Sequence, residues 1–174
     1  MIVLNGNNSK EELDKISRNC PDKLLIRLIL GQVNSSGFYL GWLFKFYDSF
    51  HIRCYNKNNF IKASSMGISI AFFEIDFTKI PSDIFEIEVA MNETHSNEKS
   101  FCKNLSSVGF MLSDSSDDNM VSFGDFRFDN EKEALNRKSF SVCTFSRISD
   151  NWKCYPRIEN VYDTKDWQVI PSLI

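Results

Sequence analysis

Histidine, proline and glycine are scarce in this chain of 174 residues, which has 2, 4 and 7 of them. So little glycine and proline excludes collagen-like and low-complexity classes. No apolar run approaches the roughly 18 residues of a membrane span. The longest is Leu24 to Leu30, and Arg27 interrupts it. The first residues have neither the basic start nor the apolar stretch of a secretion signal. No Gly-x-Gly-x-x-Gly and no Walker A loop occurs, so the usual backbone cradle for a nucleotide is missing. No large excess of either charge exists: 20 basic residues face 23 acidic ones, for a net charge of -3. The basic residues are dispersed, which leaves no electrostatic case for nucleic acid.

Cysteine is present without a pattern. The five cysteines, at 20, 54, 102, 143 and 154, form no Cys-x-x-Cys pair, and their number is odd. In a chain without a secretion signal they read as reduced thiols, two or three of them core hydrophobes. The expected compartment is the cytoplasm. The Asn-x-Ser/Thr triplets at Asn34, Asn92 and Asn104 then carry no glycosylation meaning.

What the chain has in excess is phenylalanine, 16 residues, within a composition that is 43% hydrophobic and 25% charged. That composition folds as one soluble unit, and 1–174 is read as a single domain. Ser9 and Glu12 have capping-box spacing and predict a short surface helix. From Leu24 onward the texture is β. Leu24 to Leu30 reads as a strand buried on both faces. Trp42 to Tyr47 and Phe50 to Tyr55 are strand-like. Ile68, Ile70 and Phe72 alternate, the phase slips at Phe73, and it resumes at Ile75 and Phe77, which predicts a β-bulge. Phe85, Ile87, Val89 and Met91 alternate with Glu86, Glu88 and Ala90, a strand with one wet face. Further strands follow at 108–112, 120–128, 140–148 and 152–158, and 131–137 offers one helical turn. Ser149-Asp150-Asn151 reads as a tight hairpin. Many short strands without long helices predict a mainly β fold, a two-sheet antiparallel sandwich with a short N-terminal helix.

Few residues carry chemistry. His51 sits in a strand-like run and His95 in a polar loop, and neither has the surroundings of a catalytic triad. His51 and Cys54 have loose metal spacing, but zinc needs about four ligands and no second pair exists. Glu86 and Glu88 share a strand face, most simply the wet side of a sheet. The run from Ser113 to Asn119 holds Asp114, Asp117 and Asp118. Calcium takes six to eight oxygens, and this run lacks the mid-loop glycine and closing glutamate of an EF-hand. It reads as a solvated turn.

Ile75-Asp76-Phe77-Thr78-Lys79-Ile80-Pro81 followed by an alternating strand resembles a signature of the TerD family, the tellurium-resistance and stress-response proteins of bacteria. Phe140 to Arg147, a short turn, then Asn151-Trp152-Lys153-Cys154 resembles that family's closing hairpin. Val3 to Asn7 and Lys23 to Gly31 are similar to its opening strands. The resemblance implies a β-sandwich, no enzymatic activity, and calcium held by acidic loops at one end. Here the sequence departs from the pattern. Tyr39 to Asp48 has only Asp48 where the family carries an acidic core, and 63–70 has no acid at all. The expectation is therefore a non-enzymatic TerD-like domain that acts through its surface on an unknown protein partner, without cofactor. The alternative is a calcium site rebuilt from Asp48, Asn92 and Glu93. A third reading, an enzyme built on His51 or His95, requires a pocket that joins a histidine to a carboxylate or thiol.

Overall fold

A computed structural model describes residues 2–4, 10–32, 40–53, 59–66, 70–93, 105–116, 118, 122–129 and 139–170. Ser9, Cys54, Ile68, His95, Cys102, Asp117 and the 131–137 segment lie outside the described residues. The elements are β1 (Ile2–Leu4), helix α1 (Lys10–Ile16), β2 (Arg18–Asn19), β3 (Lys23–Gln32), β4 (Leu40–Tyr47), β5 (Ile52–Arg53), β6 (Ile61–Met66) and β7 (Ile70–Asp76). A 3-10 turn (Phe77–Lys79) follows, then β8 (Glu86–Glu93), β9 (Leu105–Asp114), β10 (Ser122–Asp129), β11 (Ser139–Ile148), β12 (Asn151–Asn160) and β13 (Gln168–Ile170). Two sheets result. One has the order β1-β10-β9-β3-β7-β6, the other β13-β4-β8-β11-β12-β2, with β5 also on β4. All pairings are antiparallel except β1 on β10, which is parallel. The mainly β, two-sheet sandwich with one short helix is therefore the observed class.

Period-two patterning places the core between the sheets. Trp42, Phe44 and Phe46 point inward from β4, and Ile87, Val89 and Met91 from β8. Phe73 faces them from the first sheet. Its ring lies edge-on to Trp42 at 4.8 Å, to Phe44 at 5.3 Å and to Phe145 at 6.4 Å. Such edge contacts add to the burial of the rings themselves.

Three expectations are corrected. Leu24 to Leu30 is not buried on both faces: Leu24, Ile26, Leu28 and Leu30 are, but Arg27 and Ile29 are exposed, Ile29 to 43%. No bulge occurs at Phe73. Ala71, Phe73 and Ile75 form the inward series in unbroken register with β3 and β6, while Ile70 and Phe72 belong to the outer face. Apolar residues on the outside produced the false phase. Register does shift between Ser141 and Cys143 in β11. The Phe50–Tyr55 strand starts only at Ile52, because 48–51 makes a turn and leaves Phe50 93% exposed; Cys54 and Tyr55 lie outside the described residues.

The hairpin at Ser149-Asp150 is present. Ile148 pairs with Asn151, and Ser149 takes φ of 54°, the left-handed conformation that tight hairpin turns use. The 161–167 run must pass from β12 to the far side of β4, across the outer face of the second sheet. Leu43 and Ala90 oppose each other there, point away from the core and are nonetheless buried. Lys45 on the same face reaches the ring of Trp167, 5.7 Å away.

Replacing Phe73 with Ala is expected to cost about 3–5 kcal/mol, since it removes the first sheet's ring that meets three rings of the second. Urea unfolding of the two proteins checks this. A loss below about 1 kcal/mol would show that the inter-sheet cluster is not where the stability resides.

Candidate functional site

Antiparallel pairing of β4 and β8 decides the fate of the proposed calcium set. Tyr47 lies opposite Glu86, and Gly41 opposite Asn92. Asp48 therefore leaves the sheet where β8 begins, and Asn92 and Glu93 stand where β8 ends. About six residues of strand, roughly 20 Å, separate them. Calcium ligands lie about 2.3–2.6 Å from the ion, so the structure does not bring the three into one site. Asn92 instead accepts a hydrogen bond from the Ser139 hydroxyl at 2.6 Å.

Asp48 has its own structural work. Its Oδ1 accepts the backbone N–H groups of Phe50 and His51, both at 2.8 Å. His51 Nδ1 lies 3.3 Å from the same oxygen, and Arg53 lies 3.7 Å from Oδ2. Arg53 reaches on to Asp83, 3.8 Å away in the β7–β8 connection. The two backbone N–H groups, with His51 and Arg53 behind them, outweigh burial and hold the Asp48 carboxyl below its usual range. His51 thus sits in a turn, not a strand. Its described side-chain partners are a carboxylate and a guanidinium.

The two segments that carry the TerD resemblance meet at this end of the sandwich. Asp76 caps the 3-10 turn: Oδ1 accepts from Thr78 N at 3.2 Å and from Thr78 Oγ1 at 2.5 Å. Lys79 Nζ lies 3.4 Å from Oδ2. Burial opposes ionisation of Asp76, but the Thr78 hydrogen bonds and Lys79 together prevail and lower its pKa. The cap presents Phe77 to the closing hairpin, where it stacks on Trp152 at 5.2 Å and meets Phe145 edge-on at 5.3 Å. The Arg147 guanidinium lies 4.8 Å from the centre of the Trp152 ring. It donates to the carbonyl oxygens of Ser82 at 2.9 Å, Pro81 at 3.3 Å and Ile80 at 3.4 Å. Arg147 thereby clamps the β7–β8 connection to the hairpin through one planar group.

Beneath this clamp opens a cleft of about 310 Å³. Phe77 and Trp152 form part of its wall, and Asp22, Asp150 and Cys20 line it with Arg147. No sequence signal pointed to the cleft, because its lining comes from three distant connections. Among the described residues no group of three or more His, Cys, Asp or Glu is placed to hold a metal ion. The turn after β9 is likewise self-contained, since the Asp114 carboxylate accepts from Ser116 N at 2.9 Å and from the Ser116 hydroxyl. Glu86 and Glu88 lie half-buried on the outer face of the second sheet. Burial, then the charge of Glu88, raises the pKa of Glu86.

Three cysteines fall on a diagonal that the sequence spacing hides. Phe145 pairs with Cys154 and Cys143 with Pro156, so Cys143 and Cys154 are diagonal neighbours on the inner face. Cys154 pairs with Arg18, which makes Cys20 its diagonal neighbour on the other side. Diagonal neighbours lie within reach of each other's side chains, and all three are free thiols. Burial, then the adjacent Cys143 thiol, pushes the Cys154 pKa up. Burial and Cys154 do the same to Cys20.

No protein-family model matches the chain, and no curated protein matches it. Solved structures do share its fold. One is a homologue of the telluride resistance protein TerD, SCO6318 from Streptomyces coelicolor A3(2). It is 10% identical with a TM-score of 0.57, over 82% of this chain and 91% of that one. Another is SAV2460, a protein of unknown function, 9% identical with a TM-score of 0.57, over 80% of this chain and 89% of that one. The chain has a divergent TerD-like β-sandwich fold, as residues 75–84 and 140–154 imply.

Two outcomes are expected. Asp76→Asn should lower stability by about 1 kcal/mol at neutral pH. A depressed carboxyl stabilises above its ordinary titration range and loses that contribution as pH falls, so the two unfolding curves should converge in acid. A difference independent of pH would remove the charge from the explanation. Separately, Cys143 and Cys154 should resist iodoacetamide in the folded chain at pH 8 and alkylate in urea, as read by peptide mass spectrometry. Prompt labelling of either in the native state would contradict their burial.

Proposed function

We propose that the chain is a non-catalytic TerD-like domain that binds a protein partner through its surface in a stress-related role, with the family's calcium site degenerate. The observation that supports this is the state of the carboxylates at the loop end. Asp48 is engaged by two backbone N–H groups, His51 and Arg53, Asp76 by Thr78 and Lys79, and Asp83 by Arg53. A cation would have to displace these donors before it gained its own oxygens, and such sites draw their affinity from a preformed, highly charged ligand set. The exposed position of His51, between a carboxylate and a guanidinium, supports a non-catalytic reading. Free thiols fit a reducing compartment, and we place the protein in the cytoplasm on that ground.

Calorimetric titration with calcium should give no saturable heat, and melting curves with and without chelator should coincide. A sub-micromolar site, or a large chelator-induced loss of stability, would overturn this reading. Loss of such a site in Asp48→Ala would then assign it to the turn after β4.

A further inference from the structure

The outer face of the first sheet carries apolar side chains that remain partly exposed. Register defines its rows. One row crosses the strands as Asp125, Met111, Arg27 and Phe72, and the next as Arg127, Gly109, Ile29 and Ile70. Ile29 and Ile70 are neighbours and stay 43% and 40% exposed. The inward positions of β3 already fill the core, so this second apolar series is extra to it and stays partly exposed.

Two features say what such a face fits. The first is charge. Arg27 and Asp125 are both exposed, lie in one row, and flank Met111 from the strands on either side of β9. Among the described residues neither has an ion-pair partner. The second is Gly109, beside Met111 on the same outward series of β9. A Cβ there would meet only ordinary contacts, at 3.8 Å or more. The fold of the chain itself does not require glycine at that position. Glycine inside a strand often marks the close approach of another backbone.

We propose that this face is the interface of a two-fold homodimer whose axis runs along β9. β3 and β10 flank β9 at equal spacing, so the rotation lays β3 of one copy over β10 of the other. Arg27 of each copy then faces Asp125 of the second, twice over, which is the reciprocity an isologous interface requires. Gly109 meets Gly109 near the axis and lets the sheets approach face to face. The same rotation lays Ile29 over Arg127 of the second copy and Ile70 over its β1, so both leave water. Four strands make a small footprint, so the dimer is reversible and depends on concentration.

Sedimentation velocity over a wide range of protein concentration tests this. The wild-type chain should shift from monomer to dimer as concentration rises. Arg27→Asp and Asp125→Arg should each weaken association by about tenfold or more, and the double exchange should recover most of it. Gly109→Val should keep the native melting temperature and near-ultraviolet spectrum yet stay monomeric. A chain that is monomeric at every concentration, as expected if a different protein covers this face, would overturn the proposal. So would a dimer indifferent to all three substitutions, or charge reversals that do not rescue each other.

Discussion

Phe73 holds the two sheets in one relation to each other. It comes from β7 of one sheet and meets Trp42, Phe44 and Phe145 of the other, three rings on two strands. From Phe145 the contacts continue to Phe77, Trp152 and finally Arg147 at the loop end. One line of aromatic contact therefore runs from the middle of the core to the rim of the cleft. Edge-to-face geometry constrains ring orientation as well as distance. The loop end thus inherits its shape from the core, and the excess of phenylalanine is the material of that transmission.

The polar groups at the loop end are arranged inward. Asp76 holds a turn, Asp48 holds another, and Arg147 binds three carbonyl oxygens that have no strand partner. Each satisfies backbone groups in a connection that leaves the sheet, where unpaired donors and acceptors would otherwise be costly. At this end Asp48 and Asp76 fasten loops, while Asp22 and Asp150 line the cleft.

Much of the fold was legible because antiparallel strands with one buried face obey period two. The inward series Ile87, Val89 and Met91 of β8 and the β11–β12 hairpin follow the sequence pattern, though Phe85 lies before the strand and Ala90 on the outer side is buried. β7 was misread because Ile70 and Phe72 are apolar on the outside, and periodicity cannot tell which of two apolar series faces the core. The loop-end clamp was half legible: Arg147 and Trp152 stood out in the hairpin pattern, but nothing in the spacing showed that the guanidinium reaches residues 80–82. The thiol diagonal was legible in principle. A two-residue turn fixes the hairpin register, and the register puts Cys143 and Cys154 on one face. Sequence order puts Asp48 after β4 and Asn92 and Glu93 at the end of β8, but it does not say how the two strands pair. The antiparallel pairing of Tyr47 with Glu86 sets them at opposite ends of the sheet.

Three of the four sheet borders close over very long stretches of chain, β6 on β7 being the local one. β1 pairs with β10, β2 with β12 and β13 with β4, so each of these joins segments from opposite halves of residues 1–174. Such non-local pairings are slow to form, because the loop must close before the contacts reward it. β1 is made more than a hundred residues before β10, and the Trp42–Phe44 stretch of β4 more than a hundred before β13, although β5 covers Phe46 and Tyr47 early. Until then these stretches present unpaired backbone, a template for pairing with another chain. The topology leaves the nascent fold open to misassociation until residue 170 has been made.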